Sequence, residues 1–136
     1  MRKLMLEIVT PEKLVVGQEV DIVIAPGVMG EFGVLEGHIP FLSGIEPGEL
    51  RFTSEDKTDY YVVTYGFAEI SNNKVSILVD AAEKADKIDV QRAQRALERA
   101  KERLGKDRSS EGIDFLRAES ALKRAAARIA VAGKIR

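Results

Sequence analysis

Near residue 84 the spacing of apolar side chains changes from every second position to every third or fourth, and no single type of secondary structure satisfies both patterns. Before that point Leu4, Leu6 and Ile8 alternate with Met5 and Glu7. Val20, Ile22 and Ile24 alternate with Glu19 and Asp21, and Val75, Ile77 and Val79 with Lys74, Ser76 and Leu78. Successive side chains of a strand point to opposite faces, so each run is a predicted strand with one buried face. The run Tyr60 to Tyr65 is apolar except for Thr64, which predicts a strand buried on both faces inside a sandwich. Asn72-Asn73, between Ile70 and Val75, suits the positive φ of a two-residue hairpin turn. Ten of the eleven glycines and all four prolines fall before residue 113. Short strands with frequent turn residues predict an antiparallel β-sandwich over residues 1–84.

After Asp89 the composition turns to Ala, Arg, Glu, Lys and Leu. Val90, Ala93, Leu97, Ala100 and Leu104 form one heptad seam, and Phe115, Ala118, Leu122, Ala125, Ile129 and Ala132 a second. Asp89 is a predicted N-cap, and Gly105 stands where a helix commonly ends. The helices are predicted over 89–104 and 112–131, joined by the polar connection 105–112, so residues 85–136 form an antiparallel helical hairpin. Alanine at half the seam positions lets helices approach closely but buries little area, since each CH2 absent relative to leucine removes ~0.8 kcal/mol of burial. The residues leave two readings open: a marginal hairpin able to move, or a rigidly packed one.

The chain has 136 residues, with 21 Lys plus Arg against 22 Asp plus Glu, a net charge of −1. No overall field would draw it to nucleic acid or to an anionic membrane. There is no cysteine, which excludes disulfides and thiolate metal sites. The opening residues are too short and interrupted an apolar run for a signal peptide, and no run approaches the ~20 residues needed to cross a bilayer. Gly27, Gly30, Gly33 and Gly37 crowd together, but no Gly-Lys-Ser/Thr and no helical pattern follows them. Tight turns between strands account for them better than a phosphate loop does. His38 is the single histidine. With no second histidine, nearby acidic cluster or nucleophile it makes neither a metal site nor a catalytic base, and a structural role remains open to it. No catalytic set is expected anywhere in the chain.

Several stretches, in order, carry a resemblance. Leu6-Glu-Ile-Val-Thr-Pro-Glu12 comes first, then Gly27-Val-Met-Gly-Glu-Phe-Gly-Val-Leu-Glu-Gly-His-Ile-Pro-Phe-Leu42 and Ile45-Glu-Pro-Gly-Glu-Leu50. Tyr65-Gly-Phe-Ala-Glu-Ile70 and Val79-Asp-Ala-Ala-Glu83 follow. Together they resemble the epsilon subunits of bacterial-type (F-type) rotary ATP synthases, over the whole chain. The resemblance implies a non-catalytic central-stalk subunit that joins the gamma subunit to the c-ring. It implies Glu31 on a turn facing the ring and His38 near gamma. It further implies a peripheral place on the cytoplasmic face of the bacterial plasma membrane, with membrane contact only through the complex.

Ile88-Asp-Val-Gln-Arg-Ala93 resembles the Ile/Leu-Asp-x-x-Arg-Ala motif that binds ATP in some bacterial members. The spacing is compatible with this. Arg92 and Arg99 flank the first seam, Arg124 and Arg128 the second, and an antiparallel hairpin brings the four to one level. Clustered guanidinium groups suit a polyphosphate, while Glu83 and Asp89 could accept from an adenine amino group or a ribose hydroxyl. Solvation of a helix face is the plainer reading of the same charges. No cofactor is required, and ATP is the expected regulatory ligand. A hairpin extended along gamma would present Arg117, Lys123, Arg124 and Arg128 to the catalytic alpha/beta head and restrain hydrolysis. The competing function is a free-standing ATP-sensing domain, which would not need the Gly30–Pro40 segment.

Overall fold

The computed structural model describes residues 3–106, 112 and 114–135. Ten strands come first: β1 (Leu4–Val9), β2 (Leu14–Val20), β3 (Ile22–Gly27), β4 (Gly30–Leu35), β5 (Phe41–Ile45), β6 (Gly48–Ser54), β7 (Lys57–Val63), β8 (Gly66–Ser71), β9 (Lys74–Val79) and β10 (Ala82–Lys84). A single 3₁₀ turn, Ala85–Lys87, leads to α1 (Val90–Leu104) and α2 (Phe115–Ala132). No helix lies within residues 15–80.

The hydrogen-bonded order is β10-β7-β6-β3-β5-β8-β9-β1-β2, with β4 on β3. The strands divide into two layers at the β3–β5 junction, where a single pair, Gly27 with Ile45, joins them. Gly27 is a forced choice there, because a Cβ would lie 2.8 Å from the Gly30 carbonyl and 2.9 Å from the Phe32 ring. Between the layers Leu4, Leu6, Ile8, Val23, Leu50, Phe52, Val63, Ile70 and Ile77 pack into one core, each essentially inaccessible to solvent. The predicted sandwich is present, and β1 and β9 alternate as the sequence pattern requires. One pairing departs from the antiparallel expectation: β1 runs parallel to β9, with Leu6 opposite Val75 and Ile8 opposite Ile77.

Two further departures have local causes. The sequence pattern groups Val20 with Ile22 and Ile24, yet Val20, Val23 and Ala25 are buried and Ile22 and Ile24 only half so. The chain bends at Asp21, leaving the layer of β1 for that of β4 and β6, so the inward phase shifts by one residue. Asp21 holds the bend through its N–H to the Thr53 carbonyl (2.8 Å) and its carboxylate to the Glu55 N–H (3.0 Å). The second departure concerns β7. Val63 faces the sandwich core, but Val62 packs with Ala85, Ile88, Val131 and Ala132. The other face of this strand is therefore covered by the hairpin, not by a second sheet. Thr64, buried at its end, accepts from the Ala81 N–H through its hydroxyl (3.0 Å).

Asn72 and Asn73 both take positive φ, as predicted for a tight hairpin, and Glu55 and Asp56 form a second such turn between β6 and β7. In the hairpin, Asp89 caps α1 by accepting from the Arg92 N–H (3.0 Å). The start expected at 112 lies instead at Phe115, because Asp114 caps α2 through the Arg117 N–H (3.0 Å). Gly105 ends α1 in right-handed backbone geometry, its N–H shared between the Lys101 and Glu102 carbonyls. Residues 107–111 of the predicted connection, and residue 113 of the predicted second helix, lie outside the described residues.

Candidate nucleotide cleft and partner surface

The motif around residue 88 divides its work position by position. Ile88 is buried in the cluster that seats the hairpin on β7. Asp89 turns the chain into α1. Ala93 is buried in the seam, while Arg92, three residues beyond the cap, is exposed. A cleft of about 490 Å³ opens beside it, lined by Glu83, Lys87, Asp89, Arg92, Ala93, Ala96, Arg99, Ala121, Arg124, Ala125 and Arg128. All seven residues expected to meet nucleotide, Glu83, Asp89, Arg92, Ala93, Arg99, Arg124 and Arg128, line this one space. The four others escaped sequence reasoning. Ala96, Ala121 and Ala125 carry no chemical mark beyond being small, and Lys87 sits in a turn with no periodic signature.

The cleft wall carries five cations and two carboxylates, so it favours an anionic ligand. Arg128 already grips Glu83 with a fork: Nε lies 3.2 and 3.1 Å from the carboxylate oxygens and Nη2 lies 2.9 Å from Oε2. This pair ties α2 to β10, an arrangement the sequence did not announce. Arg92, Arg99 and Arg124 make no ion pair with another described residue. Asp89 has one oxygen committed to its cap. Three unengaged guanidinium groups, with a fourth held at the rim by Glu83, can together bind a group bearing several negative oxygens. Alanines from both helices leave the room for it.

The two remaining site residues lie elsewhere and do not line the cleft. Glu31, exposed on β4, accepts from Arg51 Nη1 (3.0 Å) and Nη2 (3.2 Å). That hydrogen bond is the main reason its carboxyl titrates below the ordinary 4.5. His38, half-buried between β4 and β5, stands edge-on to Phe41 with ring centroids 5.8 Å apart. Elsewhere on the sandwich the sequence reasoning missed a group of exposed apolar side chains. Met29 is 95% exposed, Ile39 74% and Leu42 69%, and Phe67 and Leu78 pair side by side across β8 and β9. Val28 lies over Gly44, extending the group across β5. Period two already placed Leu78 outward, but Met29, Ile39, Leu42 and Phe67 lie outside the runs that the pattern reads, so the structure is what shows them exposed. Exposed apolar side chains grouped in this way make a candidate seat for a partner.

The fold is thus a β-sandwich with exposed apolar side chains, joined to a separately seated helical hairpin with a cationic cleft. The sequence models for the beta-sandwich domain and the long alpha-helix domain of the ATP synthase delta/epsilon chain match residues 3–85 and 86–133. An ATP synthase epsilon chain of Nitratidesulfovibrio vulgaris (strain DP4) is 50% identical over 132 residues, 97% of either chain. One from Geotalea daltonii is 47% identical over 132 residues, covering 97% of this chain and 95% of that one. Among solved structures, a chain of the Euglena gracilis mitochondrial ATP synthase OSCP/F1/c-ring assembly superposes with a TM-score of 0.81 at 26% identity. It covers 94% of this chain and 80% of that one. A chain of the Tetrahymena thermophila central stalk and c-ring shares the fold, with a TM-score of 0.60 at 14% identity. The chain belongs to the ATP synthase delta/epsilon chain family. It is an accessory, non-catalytic subunit of that complex.

Proposed function

We propose that this chain is a rotor subunit whose sandwich joins the gamma subunit to the c-ring and whose hairpin binds ATP and regulates hydrolysis. The observation that carries the regulatory half is the cleft between α1 and α2, where Arg92, Arg99 and Arg124 stand without ion-pair partners among the described residues. Phosphate oxygens would take these guanidinium groups, drawing α1 and α2 together. A base or ribose would lie towards Asp89 and Glu83, and a phosphate reaching Arg128 would compete with Glu83 for it. Because the cleft needs both helices side by side, ligand binds the folded hairpin and not an extended one. Binding at 100 times the dissociation constant then favours the folded state by ~2.7 kcal/mol.

In the extended state, Arg117, Lys123, Arg124 and Arg128 would meet acidic surface on the catalytic alpha/beta head and hold back ATP hydrolysis. The rotor half rests on Glu31, His38 and the exposed apolar group with Met29, Leu42 and Phe67. Attachment is peripheral, at the cytoplasmic face of the membrane. No described helix is long and apolar enough to cross a bilayer.

Calorimetric titration of ATP into the isolated chain tests the clamp. Arg92→Ala removes one charge-assisted contact worth ~1.5–3 kcal/mol, so affinity should fall by at least tenfold. Equal affinity for the two proteins would defeat nucleotide binding in this cleft. Deleting residues 88–136 should relieve inhibition in the complex while assembly through the sandwich persists.

A further inference from the structure

The outer face of the β10-β7-β6-β3-β4 layer carries both the hairpin seat and Glu31. Glu83 is opposite Val62, Val62 opposite Glu49, and Pro26 opposite Glu31. One lateral row of this face thus runs from the β10 edge, under the hairpin, towards β4. The hairpin is pinned to the row at two points by charge: Arg128 on Glu83 (2.9 Å), and Lys134, just beyond α2, on Glu49 Oε1 (3.5 Å). The other oxygen of Glu49 is taken by Arg51 Nη1 at 2.8 Å, and the same guanidinium forks onto Glu31 at 3.0 and 3.2 Å. Glu31, Arg51, Glu49 and Lys134 form an unbroken chain of alternating charge from β4 to the end of the hairpin, and the Lys134 charge also acts on Glu31 directly.

We propose that Arg51 is a positioning residue that couples the surface around Glu31 to the seating of the hairpin. Arg51 divides its charge between two carboxylates, and Glu49 divides its charge between two cations. A partner cation that takes Glu31 leaves Arg51 fully on Glu49, and Glu49 then holds Lys134 less strongly. Occupation of Glu31 and docking of the hairpin therefore oppose each other, and by linkage each weakens the other by the same factor. Arg51 and Glu49 are suited to this transfer because both side chains are mostly covered, at 29% and 17% exposure. Partial burial shields their interaction from solvent more than that of a fully exposed pair. The inference rests on the reading of Glu31 as a partner contact only for its biological use, since the coupling itself belongs to the isolated chain.

The experiment is hydrogen exchange on the isolated full-length chain, following amides 127–132 of α2 with β1 and β9 as internal reference. Glu31→Gln stands in for a carboxylate drawn away by a partner. It should speed α2 exchange about two- to threefold at low salt, the scale of a partly exposed ion-pair network. In an Arg51→Met background the same substitution should have a clearly smaller effect, the part due to the Lys134 charge acting on Glu31 directly, and Arg51→Gln serves if that variant folds poorly. At ~1 M salt, where screening acts over about 3 Å, the effect in the parent chain should vanish. An unchanged α2 rate on Glu31→Gln overturns the coupling. So does an equal change with and without Arg51, or one that persists in high salt. None of these outcomes bears on whether Glu31 meets a partner, which is read separately from assembly.

Discussion

The sandwich and the hairpin bury very different side chains. Between the sheet layers the fully buried residues are large: Phe52, Leu4, Leu6, Ile8, Leu50, Ile70 and Ile77. In the helical seams the buried residues are Ala93, Ala100, Ala118, Ala125 and Ala132, while Leu97, Leu104, Phe115, Leu122 and Ile129 stay half-exposed. Burial of apolar area stabilises by ~25 cal/mol per Å², so the sandwich carries most of the folding energy and the hairpin little of its own. What holds the hairpin down is a small cluster around Val62, Ile88 and Val131 and two charge contacts, Arg128 with Glu83 and Lys134 with Glu49. On the proposed reading, one chain thus pairs a firmly packed platform with an element held more weakly to it. A regulated subunit needs that division, because a hairpin built like the sandwich could not be moved by a ligand or partner.

Substitutions should separate the two regions, and the largest effect belongs to the sandwich. Phe52→Ala leaves a cavity between the layers and should cost about 3–5 kcal/mol, seen as a lower urea midpoint at every probe. The hairpin would lose its seat together with the sheet. Ala125→Leu should instead overpack the α1–α2 seam at a cost of about 1–3 kcal/mol, confined to the hairpin. Exchange in both helices should rise, and ATP affinity should fall because the side chain enters the cleft. The midpoint of the sandwich would stay in place. A common shift of all probes would mean that hairpin and sandwich unfold as one unit.

Smaller effects test the pins. Arg128→Ala frees Glu83 and removes a partly exposed forked pair worth about 1 kcal/mol, so α2 exchange should rise about fivefold. The smallest effect concerns Glu31. Its folded-state carboxyl titrates below the ordinary 4.5, chiefly through the Arg51 hydrogen bond. A depressed pKa contributes stability that is present above the unfolded value and lost as pH falls through the folded one. An NMR titration should find the Glu31 midpoint below the ordinary 4.5 in the parent chain and higher in Arg51→Gln than in the parent. An unchanged midpoint would remove Arg51 as its cause.

Much of this was legible in the residues, because it rests on local rules. Period two located β1 and β9, Asn72-Asn73 marked its turn, and Asp89 fixed the start of α1. The four cleft arginines could be placed together because two helical seams of known period must align in an antiparallel hairpin, whereas Asp89 and Ala93 came from the motif resemblance and Glu83 as a possible acceptor beside it. What escaped depends on the neighbours a strand acquires. Asp21 shifts the inward phase because the chain changes layer there, and nothing local to the sequence signals that crossing. Val62 reads as sandwich core until the hairpin is seen to cover it. Glu55-Asp56 makes a positive-φ turn in which Asp56 is an ordinary turn residue but Glu55 is not. The exposed Met29, Ile39 and Leu42 fall outside the runs that period two reads. The Arg51 network joins strands β4 and β6, 20 residues apart in the chain, and has no sequence signature.

Hydrogen exchange with and without saturating ATP, resolved along the isolated chain, decides whether the hairpin is a ligand-clamped element on a rigid platform. At 100 times the dissociation constant, amides of α1 and α2 facing the cleft should exchange about 100-fold more slowly. Those of β1, β8 and β9 should not change. Equal protection across sandwich and hairpin, or none in the helices despite measured binding, would contradict this division of the molecule.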